Sequence, residues 1–172
     1  MTTLVAYPGC IAADRRVAGG LQVCKVRAVT KPDLGDVLVG TAGQASSIRA
    51  VGKWAEDEAQ GLDDLAELME KHDSEALVVT REAVYYVDSA GAVLQSPHKG
   101  YFAGSGGTLA FGYFCGAAEA CPSRLEEAVE FAAGLDPYTG DGVDVLELTP
   151  AVEPVEFEEA DDDGDREDEP EE

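Results

Sequence analysis

A threonine at position 2, directly behind Met1, can carry a nucleophile and a base in one residue. Thr2 is small, so an aminopeptidase is expected to remove Met1 and expose Thr2 as the N-terminus. Its free α-amine has a reference pKa of about 7.7–8.0, so an appreciable fraction is neutral near pH 7. That amine can take the hydroxyl proton, directly or through a water, and release the oxygen to attack a carbonyl. Two charged residues could tune this pair. Asp14 closes a short β-prone run and is followed by Arg15 and Arg16; Lys25 is an isolated cation in Val23-Cys24-Lys25-Val26. A lysine on a strand beside the threonine would lower the pKa of both hydroxyl and amine by its charge. A carboxylate such as Asp14 would hold that lysine and offset its desolvation.

Three further segments could line such a site. Gly40-Thr41-Ala42-Gly43 ends a strand just before a helix, where glycine allows close backbone approach and an N–H can face a developing oxyanion. Gly104-Ser105-Gly106-Gly107 is a loop that leads into a small-residue helix. Asp136-Pro137-Tyr138-Thr139-Gly140-Asp141 sets a carboxylate and a hydroxyl three residues apart, a pattern that also suits an ordinary Asx turn.

The elements that must position these residues follow from periodicity. Thr3 to Tyr7 and Cys10 to Asp14 read as strands joined at Pro8-Gly9. Gln22 to Val29 alternates like a strand with Lys25 inside it, and Val37 to Ala42 reads as a buried strand. From Ala45 to about Lys71 the apolar residues Ile48, Val51, Ala55, Ala59, Leu62, Leu65 and Met69 recur every three or four positions, which predicts an amphipathic helix. Gly61-Leu62-Asp63 is a candidate break in it. Leu77 to Thr80, Val84 to Asp88 and Ala92 to Gln95 are short strands, the last two joined by a hairpin turn at Ser89-Ala90-Gly91. Thr108 to Ala120 reads as a helix. Ser123-x-x-Glu126 predicts a capping box that starts another, which Gly134 stops. Val143 to Leu148 is a final strand. This order suggests an α+β layered sandwich.

Composition narrows the function classes. The 172 residues fit one domain, expected over 1–150, followed by an acidic, low-complexity tail over 151–172 in which disorder is expected. The chain carries 35 acidic and 12 basic residues, net −23. Glu153 to Glu172 alone holds 13 acidic side chains and one arginine. The tail reads as a solvated extension, or as a binding segment with Val155 and Phe157 as anchors for a partner or neighbouring subunit. Such a chain offers no basic footprint for nucleic acid or an anionic membrane. It has no apolar run long enough for a membrane-spanning helix, and its start is unlike a signal peptide. Cys10, Cys24, Cys115 and Cys121 show no metal-ligand spacing and are expected to be reduced and mostly buried in a cytoplasmic protein. His72 and His98 are expected on the surface, and Trp54 in packing.

Taken in order, the six segments resemble proteasome-type N-terminal-nucleophile hydrolases, the family of proteasome β subunits and the bacterial peptidase HslV. The shared pattern is Thr2-Thr3, Asp14 closing the second strand, Lys25-Val26, Gly40-x-Ala42-Gly43, Gly104-Ser105-Gly106, and Asp136-x-x-Thr139, over roughly residues 2 to 149. The resemblance implies a four-layer αββα sandwich, two antiparallel sheets between helix layers. It implies a threonine-type peptidase with Thr2 as nucleophile and, through its amine, general base. Asp14 and Lys25 would activate it, the Gly43 N–H would stabilise the oxyanion, and Ser105, Asp136 and Thr139 would position the amine and a water. No cofactor is implied for the chemistry; a monovalent or divalent cation near the 136–140 turn is left open. The partners implied are further copies in a homo-oligomeric ring, a hexameric ATP-dependent unfoldase and a polypeptide substrate, with no nucleic acid or membrane. The alternatives are a non-peptidase amidohydrolase of this type and a non-catalytic interaction protein. Several positions depart from the pattern. The Pro8-Gly9 hairpin is short, Arg15 replaces a small residue, and Gln44 stands where a second glycine is common. No propeptide is expected ahead of Thr2, and the acidic tail lies outside the pattern.

Overall fold

The computed structural model describes residues 2–17, 21–96, 100–116 and 120–149. The elements are β1 (Leu4–Tyr7), β2 (Cys10–Asp14), β3 (Arg16–Val17), β4 (Leu21–Gln22), β5 (Val26–Lys31) and β6 (Gly35–Ala42). Then come α1 (Ala45–Glu56), α2 (Leu62–His72), β7 (Glu75–Val79), β8 (Val84–Val87), β9 (Val93–Gln95) and β10 (Tyr101–Ala103). The chain closes with α3 (Gly107–Cys115), α4 (Pro122–Ala133) and β11 (Val143–Glu147). The strands form one sheet in the order β10-β1-β2-β11, a second in the order β5-β6-β7-β8-β9, and the small hairpin β3-β4. Every pairing is antiparallel.

Alternation along the strands stacks these elements. Leu4, Ala6, Ile11 and Ala13 of the first sheet face Val26, Leu38, Leu77 and Val79 of the second and form the central core. The other faces carry the helices. Val37, Val39, Ala76 and Val78 pack against Val51, Trp54, Leu65 and Met69 of α1 and α2. Val5, Cys10 and Ala12 pack against Ala110, Leu125, Ala128 and Val129 of α3 and α4. The result is the four-layer αββα sandwich. Both faces of each sheet are covered, which is why Cys10-Ile11-Ala12-Ala13-Asp14 is buried at every position although its pattern is not purely apolar.

Several local expectations are corrected. The helix expected over 45–71 is two helices, broken at 57–61. Lys31 stabilises the break: its ammonium donates to the carbonyl of Trp54 and, at 2.8 Å, to that of Asp57. It also sits 3.9 Å from the centre of the Trp54 ring. The indole Nε1–H donates to the Gly61 carbonyl at 2.8 Å, so the polar atoms at the end of α1 and before α2 have partners. The capping box at Ser123 does not form. Pro122 occupies the first helical position and Cys121 the cap, which leaves Ser123 already inside α4. The helix expected over 108–120 ends at Cys115, and 117–119 lie outside the described residues. The cysteines are free thiols, but only Cys10 is buried; Cys24 and Cys115 are exposed. Burial, with the Glu147 carboxylate nearby, pushes the Cys10 thiol up to about 12. His72 is half-buried, and His98 and the segment 150–172 lie outside the described residues. No helix among the described residues is long and apolar enough to cross a membrane.

Lys31→Met keeps the stem that packs on Trp54 but removes the donor to two carbonyls. It is expected to cost about 1–3 kcal/mol of unfolding free energy, read from urea denaturation. An unchanged midpoint would show that the break between α1 and α2 does not depend on this ammonium.

Candidate active site

Asp14 is the buried end of β2, and its carboxylate collects four donors. One oxygen accepts the Lys25 ammonium at 2.8 Å and the Thr3 backbone N–H at 2.8 Å. The other accepts the backbone N–H groups of Arg16 at 3.1 Å and Gly140 at 3.2 Å. Both side chains of the Lys25–Asp14 pair are fully buried. Burial holds the Lys25 ammonium below the usual lysine range, and the Asp14 hydrogen bond and charge oppose that shift. Lys25 itself lies before β5, not within a strand as expected. Val23 donates its N–H to the Arg15 carbonyl at 3.0 Å, which draws residues 23–25 toward β2 and β3.

A second cluster lies around Asp136. One oxygen of its carboxylate accepts the Ser105 hydroxyl at 2.8 Å and the Thr139 hydroxyl at 2.8 Å. The other accepts the Tyr138 N–H at 3.1 Å. Burial alone would raise the Asp136 carboxyl, but the bonds from Thr139, the Tyr138 N–H and Ser105 outweigh it and hold the group below the usual aspartate value. Thr139 is also hydrogen-bonded to the Thr3 hydroxyl. The turn is held from outside by Arg16, whose guanidinium donates to Asp141 at 3.0 Å and to the Pro137 carbonyl at 2.8 Å.

The glycine-rich loop closes on the first threonines. Gly104 has φ +82°, and a Cβ there would lie 1.9 Å from the Thr2 carbonyl oxygen. A Cβ at Gly106 would lie 2.1 Å from the Thr3 hydroxyl. Only glycine lets the loop approach this closely. Across the gap, Gly43 has φ +125°, and a Cβ there would lie 2.5 Å from the Ser74 hydroxyl. Between these segments is a cavity of about 320 Å³ lined by Thr2, Gly43, Asp73, Ser74, Glu75 and Ser105, among others.

Of the residues expected from the sequence, Thr2, Gly43 and Ser105 therefore share one cavity. Ser105, Asp136 and Thr139 form one hydrogen-bonded group. Asp14 and Lys25 form one buried ion pair that reaches Thr2 through the backbone of Thr3. Sequence reasoning missed three members. Thr3 joins both clusters through its N–H and its hydroxyl. The Gly140 N–H braces Asp14 from the far turn. Glu75 accepts the Gly104 N–H at 3.0 Å and the Tyr86 hydroxyl at 2.7 Å, so it fixes the loop beside Thr2. Nothing in the sequence marks Glu75; Thr3 was legible only as the second half of Thr2-Thr3. Among the described residues, no three His, Cys, Asp or Glu side chains are grouped to hold a metal ion.

No protein-family model and no curated protein matches this chain in sequence. Solved structures match it in fold. The chain is similar to HslV from Trypanosoma brucei, with a TM-score of 0.62 and 20% identity over 86% of this chain and 99% of that one. It is similar to a Gly-1 mutant of Anbu from Hyphomicrobium sp. strain MC1, with a TM-score of 0.70 and 12% identity over 86% and 81% of the two chains. It is also similar to the BPH protein of Thiobacillus denitrificans in complex with epoxomicin, with a TM-score of 0.60 and 18% identity over 87% and 99%. The fold is the proteasome-type αββα sandwich shared with these structures.

Two predictions follow from the geometry. Breaking the buried pair by Lys25→Met or Asp14→Asn is expected to cost about 3–5 kcal/mol each, because the remaining partner loses its compensation. The double variant should cost less than the sum of the two in urea denaturation, and strict additivity would refute the coupling. The lowered Asp136 pKa stabilises the fold fully above the unfolded value of about 3.9, and that contribution is lost as pH falls through the lower folded value. The stability gap between the natural chain and Asp136→Asn should therefore narrow as pH falls below about 4. A gap independent of pH would show that Asp136 titrates alike in both states.

Proposed function

We propose that this chain is an N-terminal threonine hydrolase that cleaves peptide bonds, with Thr2 as its first residue after removal of Met1. The observation that carries this reading is the buried Lys25–Asp14 pair, bonded to the backbone of Thr3, one residue from a threonine that lines a cavity. A cation there has no packing purpose that a methionine would not serve at lower desolvation cost. A positive charge near the Thr2 hydroxyl favours its alkoxide.

In the proposed reaction the Thr2 α-amine takes the hydroxyl proton and Oγ attacks the substrate carbonyl carbon. The carbonyl oxygen becomes an oxyanion, facing the Gly43 N–H. Collapse breaks the C–N bond; the leaving amine takes the proton from the Thr2 ammonium, and an ester to Thr2 remains. Water, deprotonated by the same amine, attacks the ester and releases the acid and the free hydroxyl. Ser105, Asp136 and Thr139 position the amine and the water. Similarity of fold to HslV and to an epoxomicin-bound protein supports this reading. We further propose that the working form is a homo-oligomer, with residues 1–150 as the catalytic domain, in the cytoplasm. An ATP-dependent unfoldase as feeding partner belongs to the same proposal.

The test is the intact mass of the purified chain before and after treatment with epoxomicin. Such an epoxyketone condenses with the amine and hydroxyl of one terminal residue. Loss of Met1 and a single adduct that maps to Thr2 are expected. Thr2→Ala should form no adduct and lose at least about a thousandfold in peptidase activity. Retention of Met1, or activity unchanged in Thr2→Ala, would sink the proposal and favour a non-catalytic role.

A further inference from the structure

The cations of this acidic chain are unevenly spent. Arg15, Arg16, Lys25, Arg81 and Arg124 each pair with a carboxylate. Lys31 is buried against backbone carbonyls. Among the described residues, four basic side chains have no carboxylate within ion-pair distance: Arg27, Arg49, Lys53 and Lys71. Three of the four line one groove between α1 and α2. The groove measures about 850 Å³; Arg49 and Lys53 come from α1, Lys71 and His72 from α2, and Ala50 and Leu68 lie between them. No carboxylate lines it. In a chain of net charge −23, a groove whose charged lining residues are all cations is a place where an acidic ligand gains most.

We propose that the occupant of this groove is the chain's own acidic C-terminal segment, Glu153 to Glu172. The charge is complementary: the segment holds 13 acidic residues, and the groove holds three cations without a carboxylate partner. The composition is complementary as well. Val155 and Phe157 stand among the first acidic residues of the segment and suit the apolar strip at Ala50 and Leu68. The path is short. The last described residue, Thr149, is held by the Arg81 guanidinium, and with Val37 and Asp36 it lines a cleft at the start of β6. That end of β6 neighbours Lys31, which is bonded to the C-terminal end of α1. The 23 residues after Thr149 can span up to about 75 Å when extended, against about 18 Å for the length of α1. Docked there, the segment would compete with any other acidic partner for the same three cations. This does not rest on the hydrolase reading, because none of these residues belongs to the Thr2 cavity.

The test is zero-length carbodiimide crosslinking of the full chain, which joins a carboxylate to a lysine amine, followed by peptide mapping. An equimolar mixture of isotopically labelled and unlabelled chains separates links within a chain from links between chains. We expect links from 153–172 to Lys53 and Lys71 within one chain, lost in about 1 M salt, where the screening length is about 3 Å. Arg49→Glu leaves both lysines in place and should reduce those links roughly three- to fivefold, with an unchanged circular-dichroism spectrum. Links between labelled and unlabelled chains would assign the groove to a second copy. Absence of tail links at Lys53 and Lys71 in low salt would leave it to an outside acidic partner. Either result overturns the proposal.

Discussion

The fold of the site depends on one carboxylate. Asp14 ends a strand whose both faces are covered, so water cannot solvate it. An ionised carboxylate in that position persists only if its lone pairs are filled, and four donors fill them. Those donors come from Thr3 just before β1, from the segment before β5, from the start of β3 and from the turn at 140. The carboxylate thus ties the start of the chain to both sheets and to the loop that carries Asp136. Its removal would disconnect the site before it altered any chemistry. The buried Lys25 ammonium depends on it in the same way, since it donates to one Asp14 oxygen.

The glycines set the second constraint, which is distance. Gly104 and Gly106 bring a loop to the backbone and side chain of Thr2 and Thr3 at separations that no Cβ would survive. Gly43 does the same against Ser74 on the opposite wall. Rigid contacts thus surround Thr2 and Thr3, the residues that lead into β1. The side chain of Glu75 adds to this rigidity by holding the Gly104 N–H while it accepts the Tyr86 hydroxyl. Position near Thr2 is therefore defined by backbone contacts, which vary less than side-chain rotamers.

Much of this was legible in the sequence, for physical reasons that also explain the failures. Short β-prone runs about the Pro8-Gly9 turn placed β1 and β2, a continuous apolar run placed β6, and the three- and four-residue spacing found the helical stretch of α1 and α2. The candidate site residues Thr2, Asp14, Lys25, Gly43, Ser105, Asp136 and Thr139 could be named as an ordered set because their types and order resemble one family's pattern. The exact bounds failed where a tertiary bond overrode a local pattern. Residues 22–29 alternate, yet Lys25 leaves the strand because the Arg15 carbonyl and the Asp14 carboxylate hold that segment elsewhere. Ser123 has the right neighbours for a cap, yet Pro122 starts the helix one step earlier. Glu75 carried no signal at all, because a glutamate at a strand start is ordinary until its partners are known.

Lys25 and Lys31 show how far a local reading can go. Both lie in β-prone stretches, Val23-Cys24-Lys25-Val26 and Ala28-Val29-Thr30-Lys31, and both are buried. Burial holds both ammonium groups below the usual lysine range. Their surroundings separate them. Lys31 meets carbonyl oxygens and an aromatic face, which satisfy a cation without a counter-charge and end a helix. Lys25 meets an ionised carboxylate that also grips the backbone next to Thr2. Carbonyl partners make a cap, whereas a carboxylate partner fixes a charge at a chosen point at a desolvation cost that stability alone does not require. The same residue type, equally buried, therefore serves the helix break in one place and the candidate nucleophile in the other.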